Sequence, residues 1–275
     1  MTSQVTDEGY AGRPHPALAP YVHRIGGYRI DRLSPGVHIG MPSSFLTLIV
    51  TLDDPVVVQT PGGPVATFAA LVGGLHDRPV AIHHDGHQHG IHLDLTAAGA
   101  RALFGRPAGE LTQELVELSD LLHPADRGLA DQAADQPTWP AKVAVVERAL
   151  LRRLDPTVVA RPEVGHAWDQ IRRSRGTVPV WAVAAEVGWS ARHLAEQFRA
   201  EYGFGVKTAA RIVRFDRSRS LVSARRPLAE VAALCGYADQ AHLNRDWRQF
   251  AGTSPGRWEQ VDQLAFFQDG EAQVG

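Results

Sequence analysis

Between residues 179 and 258 the apolar and polar positions follow a pattern that is written twice. Pro179, Val183, Gly188 and Trp189 return 48 positions later as Pro227, Val231, Gly236 and Tyr237; after one inserted residue, Leu194, Phe198 and Gly203 return as Leu243, Trp247 and Gly252. Matches at this many spaced positions identify a duplicated unit. In each copy a short Ala-rich apolar stretch ends at a glycine, the residue type that takes positive φ at a helix C-terminus. Ser190 or Asp239 then stands where it would cap a second helix. Leu194 and Phe198 define the buried face of that helix in copy one, with Arg192, Glu196 and Arg199 elsewhere; Leu243 and Trp247 do so in copy two, leaving Gln240, Asn244 and Arg245 outward. The pattern predicts two helix-turn-helix units. Residues 206–222 between them contain no Gly or Pro, so they read as one spacer helix, ~25 Å long at 1.5 Å per residue.

The N-terminal half has a different period. Residues 45–52, 56–59, 66–72 and 80–95 are apolar or alternating runs separated by Gly and Pro, which predicts short strands and a β-barrel or sandwich. Asp85-Gly86, between two candidate strands, predicts a two-residue hairpin. From residue 96 the spacing turns helical: Thr96 caps residues 97–103, and helices are expected over 107–118, 124–134 and 139–154. Val143, Val146, Leu150 and Leu151 in the last of these would pair with a second copy of the chain or pack on the chain's own barrel. The expected class is therefore α+β: a β-rich, barrel-like sensory and dimerisation domain with a helical part (1–155), a linker (156–162), an all-α domain with two helix-turn-helix units (163–258) and a tail (259–275). In that tail Leu264, Phe266 and Phe267 mark a short helix.

Composition changes this picture only when it is read by segment. The whole chain of 275 residues carries a net charge of −2, yet residues 166–258 hold 15 Lys/Arg against 8 Asp/Glu while the rest holds 13 against 22. The basic excess coincides with the duplicated unit, as neutralisation of phosphates requires. The first twelve residues lack a basic-then-apolar leader and no apolar run approaches the ~20 residues that span a bilayer, so a cytoplasmic protein is expected. The single cysteine, Cys235, excludes an intrachain disulfide and reads as a small core residue.

Residues 183–198, the helix around Arg214, and above all the run EVAALCGYADQAHLNRDW at 230–247 with Gly252-Thr253-Ser254-Pro255 resemble the DNA-binding domain of the AraC/XylS family of transcription regulators. The resemblance spans residues 163–258 and implies a seven-helix domain whose two recognition helices enter successive major grooves, roughly 34 Å apart. It places the base-reading positions at Arg192, Ala195, Glu196 and Arg199 in copy one and at Gln240, Ala241, Asn244 and Arg245 in copy two. Arginine suits guanine, and Gln or Asn suits adenine. Glu196 stands where the family often has a basic residue; it either accepts from cytosine or pairs with Arg192 or Arg199. Gly205-Val206 replaces the Ser/Thr-Pro of the family, so the spacer helix starts without its usual cap. Around residues 15–28 and 86–105 the chain resembles, less specifically, the ligand-sensing halves attached to such domains.

The expected partners are double-stranded DNA and a small-molecule effector, with RNA polymerase and a second copy of the chain as further candidates. Tyr28, His38, Phe45, His83 and His92 are the candidate effector-pocket residues. The alternatives are an effector-independent regulator, or a metal-dependent cupin-like enzyme built on the histidines at 83–92. In a hairpin around Asp85-Gly86, His84 and His87 would face each other across two strands and share an ion with His89 or His38. A one-residue shift of register would undo this, and no GxSxG, HExxH, CxxC or phosphate-binding glycine loop is present. Neither catalysis nor a cofactor is expected.

Overall fold

The computed structural model of the chain describes residues 6–261, and the tail residues Leu264, Phe266 and Phe267 lie outside them. Among the described residues ten antiparallel strands form two sheets: β1 (Thr6–Gly12), β2 (Val22–Asp31), β9 (Gln88–Leu95), β4 (Leu46–Thr51), β7 (Ala70–Gly73) and β10 (Leu115–Glu117) in that spatial order, and β3 (Gly36–Gly40), β8 (Val80–His84), β5 (Val56–Gln59) and β6 (Val65–Phe68) in the other. No ladder among the described residues joins the two sheets. Of the barrel and the sandwich that the strand pattern allows, the open sandwich is the one formed.

Alternation along the strands sorts the two faces of the larger sheet. Leu46, Leu48 and Val50 of β4 pair in register with Leu95, Leu93 and Ile91 of β9, and all six are buried. This face is covered by α1 (Ala97–Phe104) and α3 (Trp139–Arg153), whose Ala100, Leu103, Val143, Val146 and Leu150 join the same core. The opposite face meets the smaller sheet through Ile49 and Leu71 against Val58. Of the two fates open to the stripe on α3, packing on its own sheet is the one realised.

Four local expectations are corrected. The strands flanking Asp85-Gly86 do not form a hairpin, because β8 lies between β3 and β5 while β9 lies between β2 and β4. Gly86, at φ 111°, instead turns the corner between the sheets, its carbonyl accepting from Leu33 N at 3.0 Å; a Cβ there would sit 2.2 Å from Leu33 O. The apolar run 66–72 divides at Ala69 into β6 and β7, one in each sheet. The Glu117 carboxylate accepts from Ala69 N and Ala70 N at 3.2 and 2.9 Å and holds that corner. The helix expected over 107–118 is a 3-10 turn (Ala108–Glu110) followed by β10. Its apolar residues fill the sheet edge, and pairing with β7 outweighs the helical spacing. A second short helix, α2 (Leu129–Ala134), begins only after Gly128 breaks the stretch 124–134 at φ 73°.

Among the described residues seven helices follow: α4 (Pro162–Arg173), α5 (Val180–Glu186), α6 (Ala191–Tyr202), α7 (Val206–Ser223), α8 (Leu228–Leu234), α9 (Gln240–Ala251) and α10 (Pro255–Val261). The duplicated signals act as read. Gly188 and Gly236 take φ of 70° and 73°, Ser190 Oγ accepts from His193 N at 3.2 Å, and Asp239 Oδ1 accepts from His242 N at 2.6 Å. Spacer helix α7 opens at Gly205 without a side-chain cap. One buried apolar cluster runs without interruption from the large sheet through α1 and α3 into α4–α10.

The fit between sheet and α3 is tight at Gly27, where a Cβ would fall 2.2 Å from the Trp139 ring. Gly27→Ala should therefore lower stability by about 1–3 kcal/mol through overpacking. Gly165→Ala, in open space within α4, should raise it by up to about 1 kcal/mol. Urea unfolding checks both, and equal midpoints for Gly27→Ala and the unsubstituted protein would show that Trp139 is not wedged against β2.

Candidate nucleic-acid interface

Helices α6 and α9 each bury one face and offer another. Leu194, Phe198, Leu243 and Trp247 are fully buried, while Arg192, Ala195, Glu196 and Arg199 on α6 and Gln240, Ala241 and Arg245 on α9 are exposed. Asn244 is half-buried, and its Oδ1 is enclosed without a hydrogen-bond partner. It is less available than its neighbours for reading a base edge. Glu196 pairs with Arg192, not Arg199, at 3.1 Å, both side chains being largely in water. Such a pair contributes well under about 1 kcal/mol, so it releases Arg192 at little cost.

Both readers are seated on α7, whose 18 residues span ~27 Å. On the α9 side, Arg211 Nη2 donates to Asp246 Oδ1 at 2.7 Å and to Gln249 Oε1 at 2.6 Å, and Trp247 Nε1 donates to the buried Ser218 Oγ at 2.9 Å. Phe215 meets Trp247 edge-to-face with ring centres 5.2 Å apart. Toward the first unit, Arg214 Nη1 donates to Gly176 O at 2.8 Å while its guanidinium lies 5.6 Å from the centre of the Tyr237 ring. Around α6, Trp168, Phe198, Tyr202 and Phe204 form an aromatic cluster.

The far end of α6 is clamped to the sandwich. Arg101 of α1 forks onto the carboxylate of Glu201, Nη2 to Oε2 at 2.6 Å and Nε to Oε1 at 2.8 Å, with Glu201 nearly buried. Thr112 Oγ1 donates to Tyr202 O at 2.9 Å, and a Cβ on Gly109 would sit 2.7 Å from Ala200 O. Sequence reading missed this clamp because its partners lie 100 residues apart and each looks like an ordinary exposed helix charge. The end of α9 and the start of α10, by contrast, face β3 across a groove of about 400 Å³ lined by Val37, Ile39, Pro79, Thr253, Arg257 and Trp258.

The effector-pocket candidates separate. His38 pairs in register with Ile82, which pairs with the inward Val58; His92 pairs with the inward Ile49; and Tyr28 shares that face through Gly26, the partner of His92. Tyr28, His38 and His92 thus converge between the sheets, with the Arg24–Asp94 ion pair at 2.9 Å and His84. Burial pushes the His92 and His84 imidazoles below their ordinary value and the Tyr28 phenol well above its own. His83 lies on the other face of its sheet, with Val37 and Val57. Phe45 stacks on His23 at 4.3 Å under the Arg172 guanidinium, where the sandwich meets α4.

The remaining histidines disperse as well. His87 sits between two carboxylates, Asp53 at 2.5 Å and Asp31, and His89 Nδ1 reaches Asp53 at 3.2 Å. His84, His87 and His89 do not share one point, and among the described residues no three His, Cys, Asp or Glu side chains are grouped to hold a metal ion.

Two stretches of the chain match known families. Residues 183–260 match the family described as helix-turn-helix domain, and residues 11–117 match a domain of unknown function, DUF6597. No curated protein matches. Among solved structures, ToxT from Vibrio cholerae O395 is similar at 9% identity over 97% of this chain and 99% of that one, with a TM-score of 0.50. Wild-type ToxT from V. cholerae strain SCE256 with a bound unsaturated fatty acid is similar at 9% identity over 94% and 96%, with a TM-score of 0.52. At these identities the likeness is one of fold, a β-rich half followed by a helical half.

Two outcomes follow from the clamp and the histidines. Arg101→Ala leaves Glu201 buried without its partner and should cost about 3 kcal/mol; the double variant Arg101→Ala/Glu201→Ala should recover part of that loss in urea unfolding, and additive losses would show that the two groups act independently. His87 is held charged chiefly by its bond to Asp53, then by Asp31, so its pKa is raised. Its contribution to stability is complete below the unfolded value of about 6.5 and is lost as pH rises through the folded value. His23, His76, His84, His89 and His92 are all lowered by burial, His76 to about 4, so their contributions change only below ~6.5. Stability should therefore decline from pH ~6.5 toward 8, and His87→Gln should remove the decline. An unaltered slope in that variant would assign the titration elsewhere.

Proposed function

We propose that this chain, whose C-terminal part is an AraC-type helix-turn-helix domain, is a sequence-specific DNA-binding transcription regulator governed by a small-molecule effector in its N-terminal sandwich. The observation that carries the reading is the pair of exposed polar flanks on α6 and α9, seated on one rigid helix. Arg192 and Arg199 in the first unit, and Gln240 and Arg245 in the second, make the base contacts. Ala195 and Ala241 admit close approach, for instance to a thymine methyl. Glu196 holds Arg192 until DNA competes for it.

The effector enters the polar end of the space between the sheets, lined by Tyr28, His38 and His92. The His92 imidazole, kept neutral by burial, and the protonated Tyr28 phenol offer both donors and acceptors to a small ligand. The unsaturated fatty acid bound by ToxT supports a small-molecule effector for this fold. Ligand binding shifts the sandwich against α1, and the Arg101–Glu201 clamp passes the shift to α6. A homodimer would use a surface other than the apolar stripe of α3, which is buried in the chain's own core. RNA polymerase is the further partner such a regulator addresses. No described helix is long and apolar enough to cross a membrane, in keeping with work on DNA in the cytoplasm.

Arg192→Ala and Arg245→Ala should each weaken specific binding by roughly 1–3 kcal/mol. The measurement is an electrophoretic shift with duplexes enriched from random-sequence DNA by the full-length protein. Displacement by unselected DNA as effective as by the enriched duplex would sink the regulator reading.

A further inference from the structure

Arg175 and Arg225 occupy equivalent places at two helix ends, each being the residue that follows a C-cap, Ser174 or Ala224, although they stand four and two residues ahead of Pro179 and Pro227. Each closes a helix, α4 or α7, just ahead of the first helix of a helix-turn-helix unit. Arg175 N donates to Arg172 O at 2.9 Å and the next amide, Gly176 N, to Ile171 O at 2.8 Å; Arg225 N donates to Val222 O at 2.7 Å and Arg226 N to Leu221 O at 3.2 Å. The two turns are thus built alike, and both arginines take positive φ, 56° and 55°. That left-handed region carries a steric cost for any residue with a Cβ, and helix ends of this kind ordinarily hold Gly or Asn.

The side chains have no evident internal task. Both residues are exposed, and neither meets a carboxylate among the described residues, whereas the neighbouring Arg226 pairs with Glu230 at 2.7 Å. A backbone position that disfavours arginine, filled by arginine twice and left unpaired in water, directs attention to something outside the chain. Its charge calls for an anion, and the guanidinium fork fits a phosphate diester.

The surroundings name the phosphate. In a helix-turn-helix unit the first helix crosses the sugar-phosphate backbone while the second reads the groove. Arg175 and Arg225 stand in the turns that lead into those first helices, α5 and α8. Both turns are fixed to α7: Gly176 O is held by Arg214 of α7, and Arg225 follows the C-cap of α7, Ala224. The strut that spaces the two readers therefore spaces these two charges as well.

We propose that Arg175 and Arg225 grip DNA phosphates beside the two grooves that α6 and α9 read, fixing register without regard to sequence. The proposal rests on the DNA-binding reading given above and adds two phosphate anchors that neither recognition helix supplies. Both positions accept a substitution that spares the backbone, since glycine suits their φ better than arginine does.

The experiment compares the full-length protein with Arg175→Gly/Arg225→Gly and Arg175→Lys/Arg225→Lys, using an enriched duplex, a random-sequence duplex of equal length, and a series of salt concentrations. The glycine variant should keep or raise its thermal midpoint. It should bind both duplexes more weakly by the same factor, with the slope of log affinity against log salt reduced by about 2, roughly 0.9 for each phosphate no longer neutralised. The lysine variant should retain the slope of the unsubstituted protein. Unchanged affinity and slope in the glycine variant would overturn the proposal while leaving the regulator reading in place. So would a loss confined to the enriched duplex, which would make these residues base readers. Failure of the unsubstituted protein to enrich any sequence would remove both readings together.

Discussion

The arrangement of the two reading helices depends on how one stripe of α7 is used. Arg211, Phe215 and Ser218 recur at helical spacing and face α9, where Arg211 meets Asp246, Phe215 meets Trp247, and Ser218 accepts the Trp247 indole N–H. The apolar contacts supply adhesion and the polar ones supply direction. A buried indole N–H or carboxylate left unpaired costs about 1–3 kcal/mol or more, so α9 cannot rotate or slide on α7 without forfeiting several bonds at once. Arg214, pointing another way from the same helix, takes the Gly176 carbonyl and lies against Tyr237, so that the entry to the first unit and the turn of the second share one side chain. Spacing and mutual orientation of the readers are thereby one property of α7.

The two units are not equally tied to the sandwich, and the inequality bears on how a signal would travel. The first is held at Glu201 and Tyr202 by Arg101 and Thr112, whereas the second faces β3 over an open groove. A nearly buried ion pair adds little net stability over an apolar contact of the same shape, yet breaking only one side of it is expensive. Such a pair favours two discrete arrangements, joined or parted, over a continuum. A ligand between the sheets biases that choice only by as much as it binds one arrangement better than the other. Because α7 is stiff, a displacement imposed on α6 carries α9 with it across the groove.

Legibility from sequence tracked the range of the interactions involved. The helix-turn-helix pairs could be read residue by residue because their signals are local: a cap at Ser190 or Asp239, a positive φ at Gly188 or Gly236, and a four-residue apolar spacing behind each. The same local logic misled at Asp85-Gly86, where a good hairpin dipeptide joins strands already committed to other neighbours, β9 being held on both sides by β2 and β4. It misled again at residues 107–118, whose helical spacing is overridden by an unfilled sheet edge beside β7. His83 and Phe45 were drawn toward the pocket by residue type alone; the parity of the strand puts His83 on the other face, and the contact with His23 and Arg172 removes Phe45 to the junction with α4. Pairings such as Arg101 with Glu201 leave no mark in a single sequence, since neither residue departs from what an exposed helix would carry.

Charge shows how far pairing can redistribute what composition averages. Nearly every acidic side chain in the helical half is already engaged: Glu196, Asp216, Glu230 and Asp246 by arginines of the same half, Glu201 by Arg101 of the sandwich, Glu186 by His166, and Asp239 by a helix amide. Each internal pair cancels one charge of either sign, so the basic surplus of this half is left to exposed arginines such as Arg199, Arg245 and Arg248. Residues 1–165, by contrast, carry 18 Asp/Glu against 13 Lys/Arg, and a surplus of that sign repels a polyanion. A chain whose formal charge is −2 is therefore divided by charge along its length, and a polyanion that meets it is drawn to the helical half and repelled by the other.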